Sequence, residues 1–299
     1  MSAVVSVERK GGLLPPRELW GRMAGRLLIY VIAAVASVFF MIPFVWALLS
    51  SLKTIPELYT YPPTWFPIVP QWANYAQIFR DAPMGRWLVN SVYVAGMSVL
   101  AVVVSSAVTG YGFARFRFPA RELLFFMVLS PMMLPSWVTI IPTFIIFSKL
   151  KWLDTYKPLL VPTWFGGGAF NIFLMRQFFL TIPMDLDEAA RIDGAGPWRT
   201  LWSVLFPLAG PAMATVGILT FIGAWDNFLG PLLYITSTNK YTVAVGIRYF
   251  QTFQGAALAR PREHLLMGAS IIISLPPLIL FFLAQKYFVQ GIVMSGIKG

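Results

Sequence analysis

Six long stretches without a charged side chain most constrain what this chain can fold into. A helix that spans a bilayer needs about 20 mostly apolar residues, and each stretch is near that length. A soluble core can hide one such helix but not six, and strands of a membrane β-barrel are only about ten residues of alternating polarity. The sequence therefore predicts an all-α membrane protein with six transmembrane helices, at residues 27–49, 87–114, 123–148, 158–175, 200–225 and 265–285.

Composition excludes several other classes of protein. Only 12% of the residues are charged and 58% are hydrophobic, whereas a soluble domain has about 25% charged residues. The absence of Cys and the single His264 leave no disulfide, thiolate site or imidazole cluster, so we expect no metal site. The net charge of +11 is divided between the two faces: the predicted inner side has 13 basic and 7 acidic residues, the outer side has 10 basic and 4 acidic residues, and Asp226 lies within a span. A charge spread over both faces predicts no nucleic-acid partner.

Basic residues also predict the orientation in the membrane. An even number of spans places both termini on one side, and clusters of Lys and Arg mark the cytoplasmic side. One cluster precedes the first span and the other separates the second from the third: Arg9, Lys10, Arg17, Arg22, Arg26, Arg115, Arg117 and Arg121. Both termini are therefore predicted to be cytoplasmic, with residues 1–26 as an N-terminal extension and 27–299 as the transmembrane domain. The arginines serve as orientation anchors or, alternatively, contact a partner.

The two longer outer loops differ in kind. Residues 50–86 are rich in Pro and aromatic residues, which suit the headgroup level, and predict an ordered cap with a short helix near 74–79. Residues 235–263 carry Thr, Gln, Gly and basic residues. Either loop could meet an external protein or serve as a lid on its own helices. His264, beside Glu263, is interpreted as an interfacial polar residue rather than a proton relay.

The cytoplasmic segment 183–207, called the EAA hairpin below, predicts a helix, a turn and a second helix. Pro183 suits a first helical turn, and the acidic Asp185, Asp187 and Glu188 suit the positive end of the helix dipole. Ala189 and Ala190 would keep one face thin, and Gly194 can end the helix in a left-handed conformation. Pro197 would open an amphipathic second helix, and Pro207 and Pro211 mark the entry to the fifth span. Physics alone leaves open whether the EAA hairpin binds a partner or only lies against the bilayer.

The spacing within this segment resembles the EAA loop of ATP-binding-cassette (ABC) importer permeases. That pattern is E-A-A, three residues, G, nine residues, I, one residue, L-P, and it aligns with Glu188, Ala189, Ala190, Gly194, Val204, Phe206 and Pro207. Val204 and Phe206 depart conservatively. Three further motifs resemble the smaller, MalG-type permease of sugar importers: Gly110-Tyr-Gly-Phe-Ala-Arg-Phe-Arg-Phe-Pro119, Trp225-Asp-Asn-Phe-Leu-Gly-Pro231 and the tail from Phe288 to Gly299. The resemblance runs from about residue 27 to the C-terminus.

The resemblance implies a type I ABC importer permease fold with a cytoplasmic EAA coupling helix, in a bacterial or archaeal cell membrane. It implies four kinds of partner: a MalF-like second permease, a dimer of ATP-binding subunits, an extracytoplasmic sugar-binding protein and the lipid bilayer. It also implies the ATPase-coupling residues, which are Glu188, Ala189, Ala190, Asp193, Gly194 and Pro207. The same resemblance implies that the tail 290–299 also reaches the ATPase interface. ATP and magnesium would bind the partner ATPase subunits, and this chain would bind no cofactor.

The implied function is passage of a mono- or oligosaccharide from the binding protein into the cytoplasm. No G-x-x-x-x-G-K-[ST] phosphate loop is present, and no base, nucleophile and orienting residue assemble, so the chain is not interpreted as an enzyme. The alternative solutes are glycerol phosphate and a polyamine. An ion-coupled secondary transporter is a weaker alternative, because it usually shows an internal repeat and buried carboxylates.

Trp225, Asp226 and Asn227 are the candidate residues of the translocation path. Asp226 is the charged residue best placed within a span, and such a charge marks a functional site. It either contacts a polar substrate or holds a helix break near Gly230 and Pro231 by hydrogen bonding. Trp225 either stacks on a sugar ring or packs against core or lipid.

Overall fold

The computed structural model describes residues 16–251 and 262–296, and all the regular structure in these residues is helical. Short 3-10 helices lie at Ser130–Met133, Pro162–Trp164, Thr238–Lys240 and Ile247–Phe250, and a π-helical turn lies at Leu201–Leu205. The α-helices are α1 Pro16–Ser51, α2 Ile55–Leu58, α3 Ala73–Asp81, α4 Met84–Arg115, α5 Arg121–Leu129, α6 Ser136–Lys149, α7 Lys157–Leu160, α8 Ala169–Thr181, α9 Asp185–Ile192, α10 Pro197–Thr200, α11 Phe206–Leu208, α12 Gly210–Trp225, α13 Leu229–Tyr234, α14 Val243–Gly246 and α15 Glu263–Gly296.

Four of the six predicted stretches are candidate spans by length and composition without a sharp bend, although one of them consists of α7, a 3-10 turn and α8. They lie within Gly25–Ser51, Met84–Arg115, Lys157–Thr181 and Glu263–Gln285. The helix that carries the first span begins at Pro16, inside the segment predicted as an extension. Residues 1–15 and 297–299 lie outside the described part of the chain, so the last three residues of the predicted contact surface 290–299 lie outside it, while 290–296 belong to the last helix.

The other two predicted stretches fold as bent pairs of helices. Arg121–Met133 meets Trp137–Lys149 at 102°, and Pro197–Leu208 meets Gly210–Trp225 at 79°. The first break falls at Pro135, which has extended backbone and no N–H to continue a helical ladder. The predicted fifth span, 200–225, is therefore not one straight helix. Its residues up to Leu208 run in another direction, and only α12 continues as the helix after the bend.

Helix α4 lies at the centre of the fold and joins two apolar cores. One core, near the C-terminal half of α4, contains Val102, Tyr111, Met175, Leu205 and other residues of α8 and α12. The other, near its N-terminal half, contains Trp87, Trp225, Phe250 and Leu265. We call these two ends of the bundle the hairpin end and the cap end.

A glycine allows α4 and α8 to approach closely. A Cβ atom added at Gly110 would lie 2.8 Å from Cβ of Met175 and 2.9 Å from the backbone nitrogen of Arg176. No larger side chain fits this crossing without moving one helix. Gly110 therefore sets the distance between α4 and α8, the helix that precedes the EAA hairpin.

The cap end is an ordered structure, as the sequence predicted. The predicted short helix is α3, and the Asn74 side chain on it donates to the carbonyls of Ser51 (2.9 Å) and Lys53 (3.1 Å). Lys53 is buried, donates to the carbonyl of Thr64 and lies 4.7 Å from the ring centre of Trp46. These contacts fasten the segment after α1 to its own helices.

Candidate functional site

The EAA hairpin forms at the hairpin end with the predicted helix, turn and helix. Its first helix, α9, begins at Asp185, so Pro183 precedes the helix instead of lying in its first turn. The helix ends in a Schellman motif: the amide of Ala195 donates to the carbonyl of Ala190 (2.8 Å), and the amide of Gly194 donates to that of Arg191 (3.0 Å). Gly194 has a φ of +79°, the left-handed conformation that the sequence predicted.

The two faces of α9 have different roles. Asp187 and Ala190 are buried against the rest of the chain, whereas Glu188 and Ala189 are exposed. The prediction that both alanines thin one face is therefore wrong, because neighbouring residues on a helix point about 100° apart. Ile192 is 86% exposed.

Arg115, at the end of α4, holds the EAA hairpin in place. Its Nη2 lies 3.1 Å from Oδ2 of Asp187, and the two side chains are only 4% and 10% exposed. The same guanidinium donates to the carbonyl of Ile182 (3.0 Å) and to Sδ of Met184 (3.0 Å). One side chain of α4 thus binds both the loop that enters α9 and the first turn of α9.

Two features of its surroundings shift the pKa of Asp187 in opposite directions. Burial raises the pKa of Asp187 above its usual value, while the positive charges of Arg115 and Arg191 oppose that rise. Oδ2 of Asp187 and Nε of Arg115 have no hydrogen-bond partner within the described residues. The pair is therefore an ion pair at close range rather than a bidentate hydrogen-bonded salt bridge.

The second arm of the EAA hairpin packs on the same end of α4. The hydroxyl of Tyr111 donates to the carbonyl of Pro197 (3.3 Å), and Leu201 and Leu205 are fully buried. Trp198 and Trp202 on this arm are exposed instead. This helix is therefore amphipathic, as predicted, and its leucines face the core.

The predicted coupling residues differ in their exposure to solvent. Glu188, Ala189, Asp193 and Gly194 lie together on the exposed part of α9 and its turn. Ala190 faces inward, and Pro207 is exposed on the second arm, next to the 79° bend. The sequence missed Arg115 as the anchor of this site. The signal was present in the motif from Gly110 to Pro119, which contains that arginine.

The predicted translocation residues lie at the opposite end of α12. Trp225 is buried in the cap-end core, with its ring stacked on that of Phe221 at 5.5 Å. Asn227 Oδ1 accepts from the amide of Gly230 (3.0 Å), so the helix break is held by Asn227, not by Asp226. The Asp226 side chain is exposed at the end of α12. In the described residues, no group of three or more His, Asp or Glu side chains is placed to hold a metal ion.

Comparison with known proteins adds family information to this geometry. A family model described as "Binding-protein-dependent transport system inner membrane component" matches residues 101–294. The diacetylchitobiose uptake system permease protein NgcG of Streptomyces coelicolor is 32% identical over 263 residues, covering 87% of this chain and 84% of the relative.

Two further relatives match over almost the whole chain. The sulfoquinovosyl glycerol transport system permease protein SmoH of Agrobacterium fabrum is 32% identical, covering 92% of this chain and 95% of its own. The sn-glycerol-3-phosphate transport system permease protein UgpE of Yersinia enterocolitica is also 32% identical, with 90% and 96% covered.

A crystal structure of a bacterial ABC transporter involved in the import of alginate contains a chain of the same fold. The TM-score is 0.77, with 21% sequence identity, and the match covers 93% of this chain and 99% of that one. The match shows that the two chains share one helical fold.

Proposed function

The chain belongs to the family of binding-protein-dependent transport system inner membrane components, and from that premise we propose that it forms one half of the membrane pathway of an ATP-driven sugar importer. It is an ABC importer permease, a translocation subunit rather than an ATPase. The observation that carries the proposal is the EAA hairpin, whose exposed Glu188 and Ala189 stand on a helix anchored through Asp187 to α4.

In the proposed mechanism, α9 is the element that receives force from an ATP-binding subunit. Glu188 presents a carboxylate and Ile192 an apolar side chain on the exposed face, so the cleft that receives them needs a basic or hydrogen-bonding group beside an apolar surface. Movement of α9 would pass directly to α4 through the Arg115–Asp187 contact. Because α4 runs to the cap end, a tilt at one end changes access at the other.

The proposed partners are a MalF-like second permease, two ATP-binding subunits that carry ATP and magnesium, and an extracytoplasmic sugar-binding protein. The hairpin end would face the cytoplasm of a bacterial or archaeal cell, together with both termini. The cap end would then face the binding protein. The concentration of Arg115, Arg117 and Arg121 at the hairpin end supports this orientation.

The proposed substrate is a saccharide. Relatives named for uptake of diacetylchitobiose and of sulfoquinovosyl glycerol support this class. The relative named for sn-glycerol-3-phosphate transport supports glycerol phosphate as the second candidate.

Reconstitution tests the proposal. The chain would be co-expressed with the second permease and the ATP-binding subunit, placed in proteoliposomes and assayed for ATP hydrolysis with the binding protein. The solutes would be diacetylchitobiose, sulfoquinovosyl glycerol, glycerol 3-phosphate and spermidine. We expect at least one saccharide to stimulate hydrolysis and to accumulate inside. Stimulation by none of the saccharides would refute the sugar assignment.

A variant pair tests the role of Glu188. Glu188→Gln removes the exposed carboxylate, and Asp185→Asn is its control because it removes another exposed acid from the same helix. We expect Glu188→Gln to weaken co-purification of the ATP-binding subunit and Asp185→Asn to leave it close to wild type. Equal effects of both variants would show that only the general negative charge of α9 matters.

A further inference from the structure

A cavity of about 490 Å³ lies at the cap end, where α12 ends beside α14 and the 3-10 turn that follows it. Its lining includes the carboxylate residue Asp226, the guanidinium residue Arg248, the amide residue Gln251 and the rings of Trp225 and Phe228. The two opposite charges and the two aromatic rings thus border one space. This composition differs from the apolar groove between α4, α12 and α15.

Within the described residues, the charged groups of this cavity are left without polar partners. The Asp226 carboxylate and the Arg248 guanidinium make neither an ion pair nor a hydrogen bond there, and the guanidinium lies 5.4 Å from the centre of the Phe228 ring. Nε1 of Trp225 is buried and also has no hydrogen-bond partner there. Asp226, Arg248 and Gln251 are exposed, so a solute in the cavity can reach their polar groups.

The segment that carries Arg248 is fixed to α4. The amide of Val243 donates to Oγ of Ser91 (2.8 Å), and Nε1 of Trp87 donates to the carbonyl of Thr238 (2.8 Å). Gly246 lies directly on the Trp87 ring, where a Cβ atom would have no room. Asp226 is placed independently by the end of α12. Both charged side chains therefore project from packed elements, which lowers the entropy lost when they bind a ligand.

The chemistry of this set fits a solute with many hydroxyl groups and no net charge. A carboxylate accepts hydrogen bonds from hydroxyls, while the guanidinium of Arg248 and the side-chain amide of Gln251 donate to their oxygens. An aromatic face packs against the C–H groups of a sugar ring. A phosphate or sulfonate would gain attraction from Arg248 and lose it through repulsion from Asp226 in the same cavity.

We propose that Asp226, Arg248 and Gln251 form a contact site for a neutral saccharide on its way through the membrane pathway, beside the rings of Trp225 and Phe228. The proposal rests on the proposed function and sharpens it, since it selects neutral over anionic sugars. Arg248 and Gln251 join the candidate translocation residues, and Asn227 serves the helix break next to them.

The test measures selectivity in proteoliposomes that contain the whole importer. Transport of a neutral disaccharide and of its phosphorylated form is compared for wild type, Arg248→Gln, Asp226→Asn and the control Arg80→Gln. Arg80 is an exposed arginine on α3, outside the cavity. We expect Arg248→Gln and Asp226→Asn to slow transport of the neutral sugar about tenfold, the effect of losing one hydrogen bond to a charged group, and the control to transport normally.

The ratio of the two solutes separates contact from a structural defect. Asp226→Asn removes the repulsion and leaves Arg248 in place, so the ratio of phosphorylated to neutral transport should rise above that of wild type. A loss of folding would lower both rates together, and the yield of assembled complex and its basal ATP hydrolysis detect that case. Arg248→Lys, which keeps the charge, should retain more transport than Arg248→Gln.

The outcomes distinguish this inference from the proposed function. If wild type transports no saccharide at all, the proposed function fails. If wild type transports a neutral sugar while both cavity variants keep its rate and its solute ratio, the contact site is overturned and the importer assignment stands. A wild type that prefers the phosphorylated sugar would also overturn the neutral-sugar specificity.

Discussion

Nη2 of Arg115 lies 3.1 Å from Oδ2 of Asp187, and this contact joins the central helix of the bundle to the helix that bears the exposed Glu188. The two residues lie far apart in sequence, at the end of α4 and in the first turn of α9. Because both side chains are buried, we propose that the end of α4 follows when α9 moves. The pair would then be one mechanical connection between the surface of the EAA hairpin and the spans, beside the packing of the second helix of the EAA hairpin on α4.

Breaking this pair should separate ATP hydrolysis from transport. Arg115→Gln leaves Asp187 buried without its cation, a change that costs about 3 kcal/mol when a buried pair loses one partner. We expect transport to fall more than ATP hydrolysis, since the ATP-binding subunits still meet Glu188 while α4 no longer follows. Transport per ATP hydrolysed in proteoliposomes measures this ratio.

The control for that prediction is Arg117→Gln, because Arg117 is exposed on the same loop. The double variant Arg115→Gln with Asp187→Asn should be less impaired than the sum of the single variants, because both charges are removed together. Additive losses, or a normal transport ratio in Arg115→Gln, would rule out the connection.

Gly194 offers a test that involves only backbone conformation. No atom lies within 4 Å of a Cβ added there, so a side chain meets open space and only the φ of +79° resists substitution. We expect Gly194→Val to unwind the turn and reduce co-purification of the ATP-binding subunit, while Gly194→Asn retains most of it because Asn tolerates left-handed backbone.

Gly196→Ala is the matched control, since Gly196 also has no neighbour within 4 Å but has a φ of −75°. It should bind the ATP-binding subunit as wild type does. Wild-type coupling in Gly194→Val would show that the turn conformation is irrelevant to the interface.

The apolar stretches predicted the spans well because a bilayer requires about 20 apolar residues whatever the tertiary packing. The bends were not predictable from the same signal, because proline inside such a stretch is compatible with a kink, a break or a straight helix. Pro135 lies at a break of 102°, whereas Pro276 and Pro277 lie inside the continuous α15. Neighbouring helices decide between these outcomes.

In the EAA hairpin too, features set by local backbone preference were predictable from the sequence, and features set by tertiary packing were not. The turn at Gly194 follows from local backbone preference and was predicted. The burial of Asp187 and Ala190 depends on how α9 lies on α4, and the pairing with Arg115 depends on where two distant segments meet. At the cap end, Asn227 rather than Asp226 holds the helix break. Both neighbouring side chains can accept such a hydrogen bond, so the sequence alone does not show which of them does.

The crossing of α4 and α8 should tolerate no side chain at Gly110. Gly110→Ala places a Cβ atom 2.8 Å from Cβ of Met175, and such overpacking costs about 1–3 kcal/mol. We expect a lower melting temperature of the purified complex in detergent and a lower yield of assembled complex. Gly112→Ala is the control on the same helix, because no atom lies within 4 Å of its added Cβ. Equal stability of the two variants would contradict the close crossing.

Asp154 should fasten the cap-end loop in a manner that depends on pH. Its carboxylate accepts hydrogen bonds from the amides of Thr236 (3.1 Å) and Ser237 (2.8 Å), from the hydroxyl of Ser237 (2.7 Å) and from Nζ of Lys240 (2.7 Å). Lys240, followed by Ser237, holds the pKa of Asp154 well below its usual value of 3.8. The folded protein thus favours the ionised form, and its contribution to stability is complete above pH 3.8 and is lost as the pH falls further.

Asp154→Asn should therefore lower the melting temperature of the complex at pH 7 by about 2–4 °C, a modest loss because both side chains of the pair are partly exposed. The difference between wild type and variant should stay constant from pH 7 to pH 5 and shrink below pH 3.8, where the unfolded wild-type chain binds a proton at Asp154 and the folded protein still keeps the carboxylate ionised. Lys157→Gln, which removes an exposed charge near this loop, should show no such pH dependence. A difference between wild type and Asp154→Asn that grows as the pH falls would contradict the assignment of the ionised Asp154 as the fastening group.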